Sequence, residues 1–300
     1  MAVAFHPLTI AEVRPETDES VSIALDIPEH LRDEFEHVPG QHLVLRADID
    51  GADVRRSYSI CSPPGEERLR VGIKRIPHGV FSTYATTELA VGDVIEVMAP
   101  IGEFTASCDS VQKKRYVAFA AGSGITPILS MVTTMLRDEP DCDVTLVYGN
   151  RTTQSIMFHE ELEALKNRYP DRFQLVHILS REPHQVPLFQ GRIDAEKVRL
   201  LAATLVDVGS VDAWYLCGPL EMVETLTETL GAFGVEPEEI NFELFFDERI
   251  DAPPDVDETA EGMIDVSVTI DGRTSVVAVD PSGPPLLDYA RAVRPEVPFA

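Results

Sequence analysis

Positive charge is scarce in this chain. Twenty-five lysines and arginines stand against 51 aspartates and glutamates, a formal charge of −26. A polyanion of this size repels phosphate backbones and anionic lipid surfaces, which excludes nucleic-acid binding and membrane-surface anchoring as first expectations. Long apolar runs are also missing: none approaches the ~20 residues of a membrane span. The start, MAVAFHPLTI, lacks the basic and apolar stretches of a secretory signal. The four cysteines, Cys61, Cys108, Cys142 and Cys217, are far apart with no C-x-x-C pair, so neither a disulfide framework nor a zinc site is legible. The eight histidines show no H-E-x-x-H spacing, and His159, beside Glu160 and Glu161, reads as a solvated helix residue. Without a G-x-S-x-G elbow, serine hydrolase chemistry has no anchor. These absences leave a cytoplasmic, soluble, multidomain protein as the expectation.

What is present divides into two patterns. Through residue 110 the chain reads as short strands, PLTIAEVRP, SVSIALDIP, QHLVLRADI, VRRSYSICS, LRVGIKR and VIEVMAP. Turn residues bound them, and one helical patch interrupts at Val80–Glu88; such a set predicts a small antiparallel β-barrel. From 111 to 246 strands and helices alternate, from RYVAFAA to INFELF, which predicts an α/β doubly wound parallel sheet. The acidic stretch 247–262 reads as a linker. Residues 263–300 hold a hairpin turning at Asp271-Gly272 and a helix in PPLLDYARAV, too little to close a core alone and therefore an incomplete α+β stub.

Ala120-Ala121-Gly122-Ser123-Gly124-Ile125-Thr126-Pro127 sits where a strand passes into a helix. Glycines there admit close backbone approach, and the free helix N–H groups hold pyrophosphate. The next two strands end in Arg151 and in Ser180-Arg181, with no acid at the position that binds a ribose hydroxyl; two arginines there favour NADPH over NADH. In the barrel half, Arg56 and Tyr58 of Arg56-Ser57-Tyr58-Ser59 share a strand face. That face offers a cation for phosphate beside an aromatic plane. Gly79-Val80-Phe81-Ser82 opens the helix of this half. Cys217-Gly218-Pro219 ends a strand of the sheet with no basic neighbour, which argues against a thiolate nucleophile.

In this order, R-S-Y-S, G-V-F-S, G-S-G-I-T-P and C-G-P resemble the ferredoxin–NADP reductase superfamily. FHPLTIAEV, PGQHL, RRSYSIC, YGNRTTQSIMF and GRID are similar to the reductase components of phenylacetyl-CoA epoxidase, and the ketosteroid hydroxylase reductases share the layout. The resemblance implies a barrel for FAD, a sheet for NADPH, and electron delivery to the oxygenase of a multicomponent monooxygenase; the alternative is a free-standing flavin reductase. Arg56, Ser57, Tyr58, Ser59, Ile73, Lys74, Gly79, Val80, Phe81 and Ser82 would hold FAD. Gly122, Gly124, Thr126, Pro127, Arg151, Ser180 and Arg181 would hold NADPH. Cys217, Gly218, Pro219 and Phe245 would lie near the nicotinamide and flavin edge. Tyr58, Ser59, Cys217 and Glu243 would carry the catalytic positions. In this family a plant-type ferredoxin domain follows, and its C-x4-C-x2-C would hold a [2Fe–2S] cluster. That motif is not among these 300 residues, so the cluster is expected only in a longer chain.

Overall fold

The computed structural model describes residues 4–108, 113–245, 264–270, 273–281, 283, 286 and 289. The first six strands are β1 (Phe5–Thr17), β2 (Ser20–Asp26), β3 (His42–Ile49), β4 (Ala52–Ser59), β5 (Leu69–Lys74) and β6 (Val94–Met98), in the antiparallel order β4-β3-β6-β1-β2-β5. Just past β4, Ile60 bridges to Val71 of β5, and Cys61 N–H donates to the Arg70 carbonyl at 2.8 Å. These contacts draw the two outer strands together at one end and close the barrel there. Alternate residues fill the interior, among them Leu8, Ile10, Ile23, Leu43, Leu45, Val71 and Ile73, and helix α1 (Val80–Thr87) plugs it with Phe81 and Ala85.

The second layer set is a parallel sheet of β7 (Arg115–Ala121), β8 (Asp143–Asn150), β9 (Phe173–Leu179), β10 (Ala213–Gly218) and β11 (Ile240–Leu244), ordered β11-β10-β7-β8-β9. Helices α2 (Ile125–Asp138), α3 (His159–Arg168), α4 (Ala195–Thr204) and α5 (Leu220–Ala232) cross between its strands. Strand order reverses between β7 and β10, where an open α/β sheet splays its carboxyl ends into a crevice. The glycine-rich segment and Cys217-Gly218 both end there. Trp214 is core, stacked on Phe119 at 6.4 Å. Helix α2 begins at Ile125, and Pro127 is acceptable there because it falls in the first turn.

Barrel and sheet belong to one compact unit, Ala4–Asp247. Cys61, Phe104 and Ala106 share a buried cluster with Ile128, Met131 and Tyr215. The Arg70 guanidinium of β5 donates to both carboxylate oxygens of Glu161 on α3, at 2.7 and 3.0 Å. Ser130 donates to the Ser62 carbonyl at 2.8 Å in a buried position. Between them the packing is tight: a Cβ at Gly72 would fall 2.7 Å from Thr126 Cγ2 and 2.8 Å from Phe158 Cζ.

In the other unit, β12 (Ile264–Ile270) and β13 (Arg273–Val279) pair antiparallel in the register Ile270↔Arg273. This is the hairpin read from the sequence. Its turn pair Asp271-Gly272, the linker 247–262 and most of PPLLDYARAV lie outside the described residues.

Candidate functional site

On the barrel side, β4 carries Arg56, Ser57, Tyr58 and Ser59. The Tyr58 ring packs on Phe81 of α1 at 5.5 Å, and Arg56 Nη1 donates to the Arg55 carbonyl at 2.8 Å. Gly79 precedes α1, with Val80 exposed and Phe81 buried. The Ser82 hydroxyl is committed to the loop before it: it receives Ile76 N–H at 3.3 Å and donates to the Gly79 carbonyl at 3.4 Å. Ser82 therefore shapes the approach to α1, and the backbone amides of its first turn offer the donors.

The tight Asp50-Gly51 turn, with φ of +54° and +82°, sets the β3–β4 register and places His42 directly across from Ser59. From the sheet, Glu243 of β11 reaches the same spot. Ser59 Oγ donates to Glu243 Oε2 at 3.2 Å, and His42 Nδ1 lies 3.9 Å from Glu243 Oε1. Burial pushes the Glu243 carboxyl up to about 7, against the opposing pull of the Ser59 hydrogen bond. Burial also lowers His42, which favours its neutral form. Cys217 pairs in register with Glu243 and is fully buried. Burial and the Glu243 charge raise its thiol well above the ordinary range, so it stays a neutral thiol and makes no nucleophile. Phe245 follows β11 directly, its N–H directed to the Gly218 carbonyl at 3.4 Å.

On the sheet side, Gly122–Gly124 forms one short 3-10 turn that runs into α2. Gly122 has φ +55°, and a Cβ at Gly124 would stand 2.2 Å from the Cys217 carbonyl oxygen. The ends of β7 and β10 thus touch backbone to backbone, with no room for a side chain. Thr126 and Pro127 are buried: Thr126 Oγ1 donates to the Ser123 carbonyl at 3.0 Å, so both shape the turn from behind. Tyr148 Oη donates to the Gly122 carbonyl at 2.8 Å. Ile73 is interior, whereas the Lys74 ammonium lies 3.8 Å from where a Gly122 Cβ would be. Burial lowers Lys74, opposed by Glu19 and reinforced by the nearby Arg151 cation. Pro219 leads into α5.

The β8–β9 ladder runs on past the strands: Ser180 N–H donates to the Asn150 carbonyl at 2.9 Å and Arg181 N–H to the Arg151 carbonyl at 2.8 Å. Arg151 and Arg181 stand side by side, both exposed. Two acids that follow them in sequence are engaged elsewhere, Glu160 near Arg14 at 3.7 Å and Glu182 on Thr153 at 2.7 Å. Among the described residues neither guanidinium has a carboxylate partner. The structure thus forms two clusters, one of Ser59, Glu243, His42 and Cys217 and one of Lys74, Gly122 and Arg151 with Arg181 alongside. Sequence reasoning missed His42; counting outward from the Asp50-Gly51 turn would have paired it with Ser59.

Comparison with known proteins follows the same division. The oxidoreductase FAD-binding domain family matches residues 12–106, and the oxidoreductase NAD-binding domain family matches residues 119–228. The chain is 39% identical over 298 residues to one of the subunits of the 1,2-phenylacetyl-CoA epoxidase of Escherichia coli, covering 99% of this chain and 83% of that one. It is 34% identical over 302 residues to the ferredoxin reductase component of 3-ketosteroid-9-alpha-monooxygenase from Rhodococcus rhodochrous, covering 98% and 81%. In fold it is similar to a ferredoxin NADP+ reductase from Neisseria gonorrhoeae, solved with FAD and NADP, at a TM-score of 0.67 and 21% identity over 81% of this chain and 99% of that one. No helix among the described residues is long and apolar enough to cross a membrane.

Proposed function

Since the chain belongs to the ferredoxin–NADP reductase family, we propose that it takes electrons from NADPH through FAD and delivers them to the oxygenase component of a phenylacetyl-CoA epoxidase type of system. It is an oxidoreductase with an FAD-binding and an NAD-binding domain. The choice of the epoxidase over the ketosteroid type rests on identity, 39% against 34% over nearly the whole chain. The observation that carries the reading is the 3.2 Å contact of Ser59 with Glu243. It joins β4 of the barrel to β11 of the sheet, next to Cys217 in register.

The residues present suit both dinucleotides. Arg56, the Tyr58–Phe81 rings and the amides opening α1 offer a cation, an aromatic plane and phosphate donors for FAD. The side-chain-free contact of Gly124 with Cys217 leaves a backbone cradle for NADPH, with Lys74, Arg151 and Arg181 supplying charge. Bound FAD would supply hydride acceptance and release of electrons one at a time. The chain's part is to hold the two rings in register, exclude water and fix the charge around them. A [2Fe–2S] cluster needs four thiolates. The cysteines here do not suit one: Cys61, Cys108, Cys142 and Cys217 stand singly and lack the C-x4-C-x2-C spacing. No electron step is assigned to a cluster on these residues.

Arg56→Ala tests the flavin site. A charge-assisted hydrogen bond is worth ~1.5–3 kcal/mol, so FAD affinity should fall roughly ten- to a hundredfold at ~1.4 kcal/mol per decade. Flavin retention equal to wild type on gel filtration would contradict the assignment. A preparation with added FAD that shows neither flavin absorbance nor NADPH-driven ferricyanide reduction would sink the function as a whole.

Glu243 makes the reaction pH-dependent. Because burial pushes its carboxyl up to about 7, raising the pH through neutrality would put a buried negative charge next to Ser59, and a charge there would oppose the hydride acceptance that bound FAD would supply. Dye reduction should decline above about pH 7, and Glu243→Gln should remove that decline. The same shift acts on stability. The folded state holds this proton between the ordinary carboxylate range and about 7, so the stabilisation is present at the acid end of that window and is lost as pH rises through it. A pH profile unchanged in the glutamine variant would show that Glu243 does not face the reacting rings.

A further inference from the structure

His159 is not the solvated residue that its sequence neighbours suggest. Phe158, buried and held at φ +56°, turns the chain so that His159 begins α3 half-buried above β9. There its ring meets His177 edge to face, with centroids 5.6 Å apart. One helical turn on, Glu163 brings Oε1 to 3.9 Å from His177 Nε2. One ligand atom from each of the three residues can be chosen so that all lie within 4.8 Å of one another. Both ring nitrogens of His177 are buried and make no hydrogen bond among the described residues, although buried polar groups ordinarily find partners.

We propose that His159, Glu163 and His177 form a binding site for a divalent transition-metal ion of the zinc class, separate from the cofactor crevice. Two imidazoles and one carboxylate are zinc ligands, with metal–ligand distances of about 2.0–2.2 Å. Tetrahedral ligation needs the ligand atoms about 3.3 Å apart by that geometry, so the three must draw in by roughly an ångström or more. Glu163 is 40% exposed and flexible enough to do so. Nitrogen donors select zinc, nickel or copper over magnesium and calcium. Three protein ligands leave one position for water, as at open zinc sites. The two histidines are 18 positions apart and on different elements, a spacing outside the short motifs that mark zinc sites in sequences. The motif-based reading was therefore bound to miss them.

The test is calorimetric titration of Zn2+ into tag-free full chain, beside His159→Gln and Glu163→Gln variants that retain wild-type circular dichroism and metal-free melting temperature. One Zn2+ per wild-type chain is expected, at least tenfold weaker in each variant. A Zn2+-dependent rise in melting temperature should be present in wild type and lost in the variants, since a ligand of the folded state stabilises it. Co2+ in place of Zn2+ should give ligand-field bands in wild type only. No saturable binding to wild type, or equal affinity in wild type and both variants, would overturn the proposal.

Discussion

Replacing Gly124 with alanine is expected to lower NADPH-driven ferricyanide reduction at least about a hundredfold while leaving the flavin bound. The added Cβ would stand 2.2 Å from the carbonyl oxygen, 2.6 Å from the carbonyl carbon of Cys217 and 3.0 Å from Gly218 N. All three are backbone atoms at the end of β10, so no side chain can swing aside. The ends of β7 and β10 must part. Misplacement of about 1 Å near reacting groups costs on the order of 10²-fold. The barrel residues proposed for FAD lie on other strands, so flavin content should hold. Gly231→Ala in α5 is the control: nothing lies within 4 Å of its Cβ, and alanine there should be neutral or stabilising by up to ~1 kcal/mol. The measurements are flavin absorbance per chain and kcat/KM for NADPH. Turnover of the Gly124 variant within threefold of wild type would show that the crevice tolerates separated strand ends and that the close approach is not functional.

Arg151→Ala combined with Arg181→Ala should raise the KM for NADPH by about a hundredfold and change that for NADH less than threefold. The two guanidiniums are exposed and stand beside each other through the extended β8–β9 ladder. Each charge-assisted contact to a phosphate is worth ~1.5–3 kcal/mol before solvent screening. The lower end, taken twice, is ~3 kcal/mol and corresponds to about two decades. NADH has no 2′-phosphate and loses no such contact. Raising the ionic strength should narrow the wild-type preference, because the arginines are open to screening. Parallel losses for both cofactors would mean that the pair supports the loop and does not read that phosphate.

The strands and the crossover helices were legible because their signals are local. RYVAFAA coincides with β7, and INFELF covers β11. The position of the crevice followed as well, since an alternating pattern of strands and helices implies a switch point once its strand ends are glycine-rich. Contacts that depend on two distant segments were not legible. Ser59 and Glu243 were each picked out, but their 3.2 Å hydrogen bond needs the barrel seated on the sheet, and pattern carries no information on that seating. The Arg70–Glu161 pair was invisible for the same reason. His159 was misjudged because its acidic neighbours suggest a wet helix face, while its burial is decided by the left-handed turn at Phe158 and by β9 beneath it. The commitment of Ser82 to its own loop was likewise beyond reach, because a hydroxyl at a helix start reads alike whether it meets a ligand or the backbone.

The apolar cluster shared by barrel and sheet bears on how the chain is made. Synthesis delivers the barrel strands first, and early segments fold as they emerge. Yet Phe104 and Ala106, at the end of that first half, are covered by residues made much later: Met131 of α2, then Tyr215 of β10, whose ring lies 6.1 Å from that of Phe104. Until β10 has left the ribosome, the nascent barrel carries an open apolar face of the kind that chaperones recognise. A chain halted between the two halves therefore leaves Phe104 and Ala106 without the cover that α2 and β10 give them.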